Sequence, residues 1–465
     1  MRASFPIVIL CLSVGIAFGQ WEPDQRLTND PANSFLANPN NHPLCVSGDS
    51  VYAIFSDDRT GAFQVYLTRS WDAGTTWDSA VCLSNDLGHI FYPALAVSGE
   101  AVHLAWTTYA STVIKYRRST DAGSTWSAEE TLVAAPRGRG DASLAAEGNT
   151  VGIAWGDKRD DDNNVEVYLK RSSDGGQTWG PDTRLTVSPN TSDKEPWLAI
   201  AGNTWHLAWA RMSWTGHHPR AWYQRSTDGG ASWLTPAPLT LDTTSSNQPG
   251  VAAVGPNVHV CWWDGRPGGY GTWYRGSTDN GATWNTEQYL ADTTYGSDYP
   301  AIAAAGGNVH LVYRAWPAGH FVIDYRVSTD NGQSWSAETA LTTAAGMGTA
   351  DLAATGSRAH LLLYDDRDGN FEVYHKRNLT AGGVEEHHTL DGSRITPAAT
   401  IVHGALLLPS SSFDISHSSL LDALGRKVMD IAPGENDVSR LCPGVYFVRP
   451  ATGARPPATK VVITR

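Results

Sequence analysis

Six near-identical eight-residue stretches constrain this chain more than anything else in it. They read Ser70-Trp-Asp-Ala-Gly-Thr-Thr-Trp77, Ser119-Thr-Asp-Ala-Gly-Ser-Thr-Trp126, Ser172-Ser-Asp-Gly-Gly-Gln-Thr-Trp179, Ser226-Thr-Asp-Gly-Gly-Ala-Ser-Trp233, Ser277-Thr-Asp-Asn-Gly-Ala-Thr-Trp284 and Ser328-Thr-Asp-Asn-Gly-Gln-Ser-Trp335. Their aspartates fall at 72, 121, 174, 228, 279 and 330, steps of 49, 53, 54, 51 and 51 residues. A period near fifty marks a repeated supersecondary unit. Inside each copy the chemistry is that of a turn. A carboxylate two residues into a tight loop accepts backbone N–H groups, and the following Gly tolerates a positive φ. The closing Trp, expected to open the next strand, has roughly 150–250 Å² to bury, worth about 4–6 kcal/mol as an upper figure. Asp72, Asp121, Asp174, Asp228, Asp279 and Asp330 therefore read as structural clamps rather than catalysts.

Between clamps one template repeats. A short apolar strand follows a Pro or Asp, as in Pro93-Ala-Leu-Ala-Val97. A Gly turn leads to an alternating strand such as Val102-His-Leu-Ala-Trp106, and a Tyr-rich strand such as Val165-Glu-Val-Tyr-Leu-Lys-Arg171 runs into the clamp. Four antiparallel strands per fifty residues make a propeller blade. The alternating strand occurs seven times, at 51–55, 102–106, 151–155, 205–209, 258–262, 309–313 and 359–363. The seventh copy ends in Asn378-Leu-Thr-Ala-Gly-Gly383, where the clamp has decayed. Trp21-Glu-Pro-Asp-Gln-Arg-Leu-Thr28 copies Trp179-Gly-Pro-Asp-Thr-Arg-Leu-Thr186, so the N-terminal segment is expected to complete the last blade and remove both open edges. Val384–Leu390 competes for that place. The expected fold is all-β: a seven-bladed β-propeller of four-stranded blades over residues 20–390, followed by a small C-terminal β-sandwich over 391–465.

The clamp pattern resembles the Asp-box, or bacterial neuraminidase repeat, of sialidase-like β-propellers, and the match runs from about Trp21 to about Arg377. The resemblance implies an architecture; activity has to be argued separately. Sialidases of that family set three arginines on the substrate carboxylate, beside a Tyr nucleophile assisted by Glu and an Asp acid/base. The first arginine sits in an Arg-Ile-Pro motif near the start. Here Arg26 stands alone in the stretch from Trp21 to Pro43, Ser393-Arg-Ile-Thr-Pro397 follows the propeller, and the blade count is seven where that family has six. No catalytic residue is carried over.

The net charge of -13 argues against nucleic acid or an anionic membrane surface as partner. Residues 1–19 read as a signal peptide, with Arg2, an apolar run from Pro6 to Ile16, and Ala17-Phe18-Gly19 before Gln20. No later stretch is apolar enough to cross a membrane as a helix. Cys45, Cys82, Cys261 and Cys442 match no zinc spacing. Cys45 and Cys82 fall on the innermost and outermost strands of one blade, about 14 Å apart where a disulfide needs Cα atoms within roughly 7 Å. The thiols are expected to be small buried hydrophobes. His103, His206, His259, His310 and His360 share one register in different blades, so they cannot converge on one ion and are read as structural; no metal site is assigned to them.

Chemistry is expected on the rim opposite the clamps. The second strands exit through Asp57-Asp-Arg59, Asp157-Lys-Arg159, Asp264-Gly-Arg266 and Asp365-Asp-Arg367, while blades two, four and six carry Thr107-Thr-Tyr109, Ala210-Arg-Met212 and Arg314-Ala-Trp316. An Asp and an Arg two apart pair locally and tie the turn. The functional alternative is a ligand-binding ring of Arg59, Arg159, Arg211, Trp214, Arg266, Arg314, Trp316 and Arg367 for an anionic or polyhydroxylated ligand. Blade four also inserts Arg211–Arg220, with Trp214, His217, His218 and Arg220, and unusual loops on repeat scaffolds are where function gathers. Asp366-Arg-Asp368-Gly-Asn370 and Asp160-Asp-Asp162-Asn-Asn164 place oxygens at alternate positions as short calcium loops do, so calcium at Asp366, Asp368 and Asn370 is the one cofactor considered.

In the tail, Leu421-Asp-Ala-Leu-Gly-Arg-Lys-Val428, Pro443-Gly-Val-Tyr446 and the basic, hydrophobic end Lys460–Arg465 resemble the C-terminal sorting domain of type IX secretion, with Cys442 in place of a small polar residue. The resemblance implies secretion machinery as a partner and a secreted or cell-surface destination. Two functions compete: a binding scaffold for a glycan or surface protein, and glycoside hydrolysis, most plausibly of sialosides. The latter requires a carboxylate pair or Tyr–Glu couple within about 10 Å at one mouth, and no such couple is visible in the sequence.

Overall fold

The computed structural model describes residues 21–378, apart from 87–89, 109–112, 135–140, 162–163, 214–218, 241–244, 267–269, 293 and 343–347, together with the tail segments 400–403, 405–408, 418–422, 426–431, 434–437, 444–449 and 459–464. The chain divides into two compact units, Met1–Ala381 and Gly382–Arg465. The signal segment, Val384–Leu390, Cys442, Trp214, His217 and His218 lie outside the described residues.

The first unit is a propeller of seven sheets. Blade one runs Leu44–Ser47, Ser50–Asp57, Gln64–Ser70 and Val81–Cys82, and the other blades follow the same antiparallel order outward from the axis. The second strand is the most deeply buried, because it lies between two neighbours in its own sheet and between two neighbouring blades. Val51, Ile54 and Phe55 of blade one and Val151, Ile153 and Trp155 of blade three are fully enclosed. Blade seven is composite: Ala350–Thr355, Arg358–Asp365 and Glu372–Arg377 are completed by Gln25–Arg26, with Gln25 opposite His375 and Arg26 opposite Tyr374. Trp21 bridges Asn378 beyond them. The N-terminal segment thus supplies the missing strand and leaves the ring without an open edge. Ser34–Phe35 then pairs with Asp57 and Ser56, which ties the same segment to blade one.

The clamps have one geometry. In the first, Ser70 Oγ donates to Asp72 Oδ1 at 2.8 Å and accepts from Gly74 N–H at 2.7 Å. The Thr76 N–H donates to Oδ1 and its hydroxyl to Oδ2, both at 2.8 Å. The same set recurs at Asp121, Asp174, Asp228, Asp279 and Asp330. In Asp121 and Asp228 the hydroxyl and N–H four residues on hold the carboxyl down at about 2, and the same donors hold Asp174 and Asp279 lower still. One expectation shifts: the Trp belongs to the turn, and the fourth strand comes further on, over two residues as at Val81–Cys82 and Thr183–Arg184 in every blade but the second, where it is Glu130–Val133. The indole is drawn aside because its packing partner lies in the preceding blade.

That partner is the third-strand Tyr. Tyr116, Tyr223 and Tyr274 meet Trp179, Trp284 and Trp335 of the next blade edge-on at centroid distances of 5.1, 4.9 and 4.9 Å. Tyr325 meets Trp21 at 5.0 Å, and His375 meets Trp77 at 4.9 Å. The repeated histidines position these rings. His103, His206, His259 and His310 each share a hydrogen bond with the Tyr hydroxyl through Nδ1 at 2.6–2.8 Å, and His360 bonds His375 at 3.1 Å. Burial lowers the pKa of the first four to about 4, so they stay neutral. Between blades three and four Gly152 and Leu169 take the His and Tyr places, and Trp205, where other blades have Val or Ala, fills the space. The cysteines correct one expectation. All three described thiols are free, but only Cys261 is buried; Cys45 is half-buried and Cys82 exposed, because its two-residue strand sits on the outer edge of the blade. In the second unit Thr400–His403, Thr459–Thr464, Gly444–Arg449, Ser418–Asp422 and Lys427–Ile431 form a five-stranded sheet, and Ala405–Leu408 pairs with Gly434–Asp437.

Gly332 of the sixth clamp has φ +79°, and a methyl there would overlap the Tyr274 hydroxyl; Gly306 has φ +59° with open space around it. Left-handed strain of about 1 kcal/mol is common to Ala at both places, whereas overpacking of about 1–3 kcal/mol arises only at the first. Chemical denaturation is expected to show Gly332→Ala about 2 kcal/mol less stable than Gly306→Ala. Equal losses would mean that Tyr274 does not press on the neighbouring turn.

Candidate functional site

The loops joining second to third strands share one rim with the connections between blades, opposite the clamps. The structure brings the predicted arginines to that rim and pairs each with an acid. Arg59 grips Asp57 at 2.7 and 2.6 Å and reaches Asp30 at 2.9 Å. Arg159 holds Asp157 at 2.8 Å and Asp182 at 2.6 Å; Arg266 holds Asp264 at 3.1 Å and Glu287 at 2.5 Å. Arg367 holds Asp365 at 2.7 Å and also bonds Asp24. Arg211 and Arg314, which lack an Asp two residues back, pair bidentately with first-strand acids instead: Asp193 at 2.6 and 2.8 Å, Asp298 at 2.8 and 2.7 Å. Each guanidinium also lies over an aromatic ring, from 3.8 Å for Arg266 on Trp273 to 4.7 Å for Arg314 on Phe321. Trp316 is half-buried, packed over Gly296 and edge-on to Phe321.

The two acid-rich loops are cross-braced the same way. Arg26 reaches Asp368 at 3.1 Å and Glu372 at 2.5 Å, and Tyr374 donates to Asp368 at 2.7 Å. Asn370 donates to Glu372 at 2.9 Å. In blade three Arg184 reaches Asp160 at 2.7 Å and Glu166 at 2.9 Å, with Asn164 donating to Glu166 at 3.0 Å. A fourth-strand guanidinium thus stands among the oxygens that the sequence pattern offered to calcium. Among the described residues no group of three or more His, Cys, Asp or Glu is arranged to hold an ion.

The axis gathers a different set of side chains. Five blades carry, within or just before the first strand, a residue in the left-handed region immediately before a proline: His42 (φ 50°), Tyr92 (57°), Glu195 (55°), Gln248 (48°) and Tyr299 (48°). A bulky residue there is strained, and proline further restricts the residue before it. In four of these blades the strained residue sits in a register shift of the first pair of strands, at Phe91/Ala94, Lys194/Trp197, Asn247/Gly250 and Asp298/Ala301. Asp141 and Thr349 hold the same place in blades three and seven. Blades two to seven therefore present Tyr, Asp, Glu, Gln, Tyr and Thr at one register around the mouth of the central channel, with His42 of blade one a single step away.

A short 3₁₀ turn, Pro39–Asn41, closes that channel. Its backbone lies within 8 Å of the first strands of blades two to seven, Asn41 donates to the Ala142 carbonyl at 2.5 Å, and His42 crosses to meet Trp197 edge-on at 4.8 Å. Asn38, Pro39, Glu195, Trp197, Gln248, Tyr299 and Pro300 line a gap of about 10 Å³ between this plug and the ring, room for about one water. Burial raises the Glu195 carboxyl to about 7, helped by the neighbouring Asp141 and opposed by the Gln248 N–H; Oε2 of Glu195 is buried without a hydrogen-bond partner. Trp263 donates to Gln248 at 2.8 Å and meets the half-exposed Tyr270 edge-on at 5.1 Å. Glu195, Gln248 and Tyr299 were not singled out by sequence. The signal that could have found them is the dipeptide with proline at 42, 92, 195, 248 and 299, whose period matches that of the clamps.

No family model matches the chain, and no curated protein matches it by sequence. Solved structures match in fold. A polysaccharide lyase, Uly1, aligns over 72% of this chain and 89% of its own length at 10% identity, with a TM-score of 0.50. A Hadza microbial sialidase, Hz136, aligns over 75% of this chain at 16% identity and TM-score 0.42, and the chain spans 66% of that protein. The phage phi92 endosialidase aligns over 96% of this chain and 87% of its own at 10% identity and TM-score 0.46. At these identities the likeness is one of fold.

A carboxyl raised from 4.5 to about 7 in the folded state contributes stability that is fully present below about pH 4.5 and lost as pH rises through 7. Thermal melts of the native chain and Glu195→Gln across pH 4–8 are expected to diverge in that window, the native chain losing on the order of 2 kcal/mol relative to the variant. Parallel curves would show that Glu195 titrates normally.

Proposed function

We propose that the protein is an exported glycan-recognising propeller that takes a neutral sugar at the mouth ring around Glu195, Gln248 and Tyr299. The observation that carries this reading is the fate of the rim arginines. All six arginines of the expected ring are paired with aspartates, and recruiting them to a ligand carboxylate would leave those acids unpaired. What remains at the mouth is aromatic, amide and carboxyl chemistry: one face of Tyr299, the other being covered by the Arg314 guanidinium at 4.5 Å, and hydrogen-bonding groups for hydroxyls. The shared fold with glycan-acting propellers supports the class of ligand. The tail motifs support delivery to the cell surface or beyond it through a type IX route.

Hydrolysis is the second reading, favoured by one observation: Glu195 is held near neutrality beside Asp141, as a general acid requires. A sialoside is the less fitting substrate for the same reason the arginines are unavailable.

Glycan-array and calorimetric binding of the full chain are expected to favour neutral oligosaccharides over their sialylated counterparts, with Tyr299→Ala weakening binding about tenfold. Exclusive binding of sialylated glycans would contradict the reading. Turnover of a fluorogenic neutral glycoside, abolished in Glu195→Gln, would move the assignment from gripping to cutting.

A further inference from the structure

The clamp rim carries one side chain that the clamp does not need. The second position of the turn is Thr120, Ser173, Thr227, Thr278 and Thr329 in five copies and Trp71 in the first. Trp71 is 45% exposed, whereas the other described indoles are buried or half-buried. Single exposed apolar residues are ordinary, but this one is held in place. The Arg69 guanidinium lies over one part of the ring at 4.8 Å, Tyr52 meets its edge at 6.4 Å, and the indole N–H donates to Asp78 at 3.0 Å. Arg69 is in turn fixed by the Ala122 carbonyl at 2.9 Å and by Asp78 at 3.3 Å. The ring is therefore presented to solvent at fixed orientation, with a guanidinium and a carboxylate beside it as hydrogen-bonding groups.

We infer that Trp71 is a stacking platform for a pyranose of an extended polysaccharide, a second carbohydrate subsite on the rim opposite the mouth. The footprint decides between a sugar and a protein. A stable protein interface buries about 800 Å² per partner around an apolar centre, whereas the exposed large hydrophobic residues described in the propeller are spread over blades one, three, four and five: Trp71 and Val81, Val187, Leu234 and Tyr270. One indole face matches one pyranose. A rigid aromatic already in its bound orientation loses little freedom on binding. A subsite on each rim would let the propeller sit along a polymer rather than hold one chain end.

Affinity electrophoresis of the full chain in native gels containing hydroxyethylcellulose or xylan tests this. Trp71→Thr restores the residue found in four sister turns, so its thermal midpoint should match that of the native chain. Retardation is expected to weaken at least tenfold in Trp71→Thr, to recover in part in Trp71→Tyr, and to weaken without vanishing in Tyr299→Ala. Undiminished retardation of Trp71→Thr, or no retardation of the native chain in either gel, overturns the inference. If instead Tyr299→Ala changes nothing while Trp71→Thr loses binding, the mouth reading fails and this one stands.

Discussion

The contact on which this fold depends is a third-strand Tyr pressed into the turn of the next blade, edge-on to its Trp and against a Gly that leaves no room for a methyl. It acts in two directions at once. The hydroxyl bonds a buried His within its own blade, as His259 bonds Tyr274 at 2.8 Å, while the ring packs across the seam. Each blade therefore finishes the core of its neighbour, and no blade can bury its aromatic residues alone. Two seams differ: between blades three and four Gly152 and Leu169 withdraw and Trp205 advances, and between blades one and two Tyr52 and Leu67 take the His and Tyr places. The N-terminal segment is recruited on the same terms, since Trp21 occupies the indole position against Tyr325 that a seventh clamp would have filled.

A second constraint is local saturation of charge. The clamp carboxylates, the Asp–Arg turns and the acid-rich loops each bring their own donors, so most ionic groups on either rim are spent within their own blade. Strain, in contrast, is concentrated at the axis, where bulky residues adopt left-handed conformations immediately before prolines. Buried strain with unsatisfied polar atoms gathers where a fold has been adjusted for something other than stability. The gap at Glu195 has both, since its Oε2 is buried and unpartnered and its backbone sits at φ 55°.

Much of this was legible in the sequence because it is written in repeats. The clamp period gave the blades, the alternating strand gave their number, and the copy of Trp179–Thr186 at Trp21–Thr28 gave the closure. The local pairing of Asp57 with Arg59 and its kin follows from a two-residue spacing alone. The mouth was not legible, because its chemistry arises between blades. Glu195 is an unremarkable acid until Asp141, 54 positions earlier, is placed beside it, and Pro39–Asn41 carries no mark of a channel plug until the ring exists around it. Cys82 was misread because a fourth strand of two residues shelters little. The pairings of Arg211 and Arg314 were missed because their acids, Asp193 and Asp298, lie on the preceding strand at separations of 18 and 16 residues.

The account stands on coupling between blades. A double-mutant cycle of Tyr274→Leu and Trp335→Leu, read by chemical denaturation of the full chain, measures it directly. The two residues lie in blades five and six with ring centroids 4.9 Å apart, and the predicted coupling energy is about 1 kcal/mol. Strict additivity of the two losses would contradict the claim that each blade completes the core of the next.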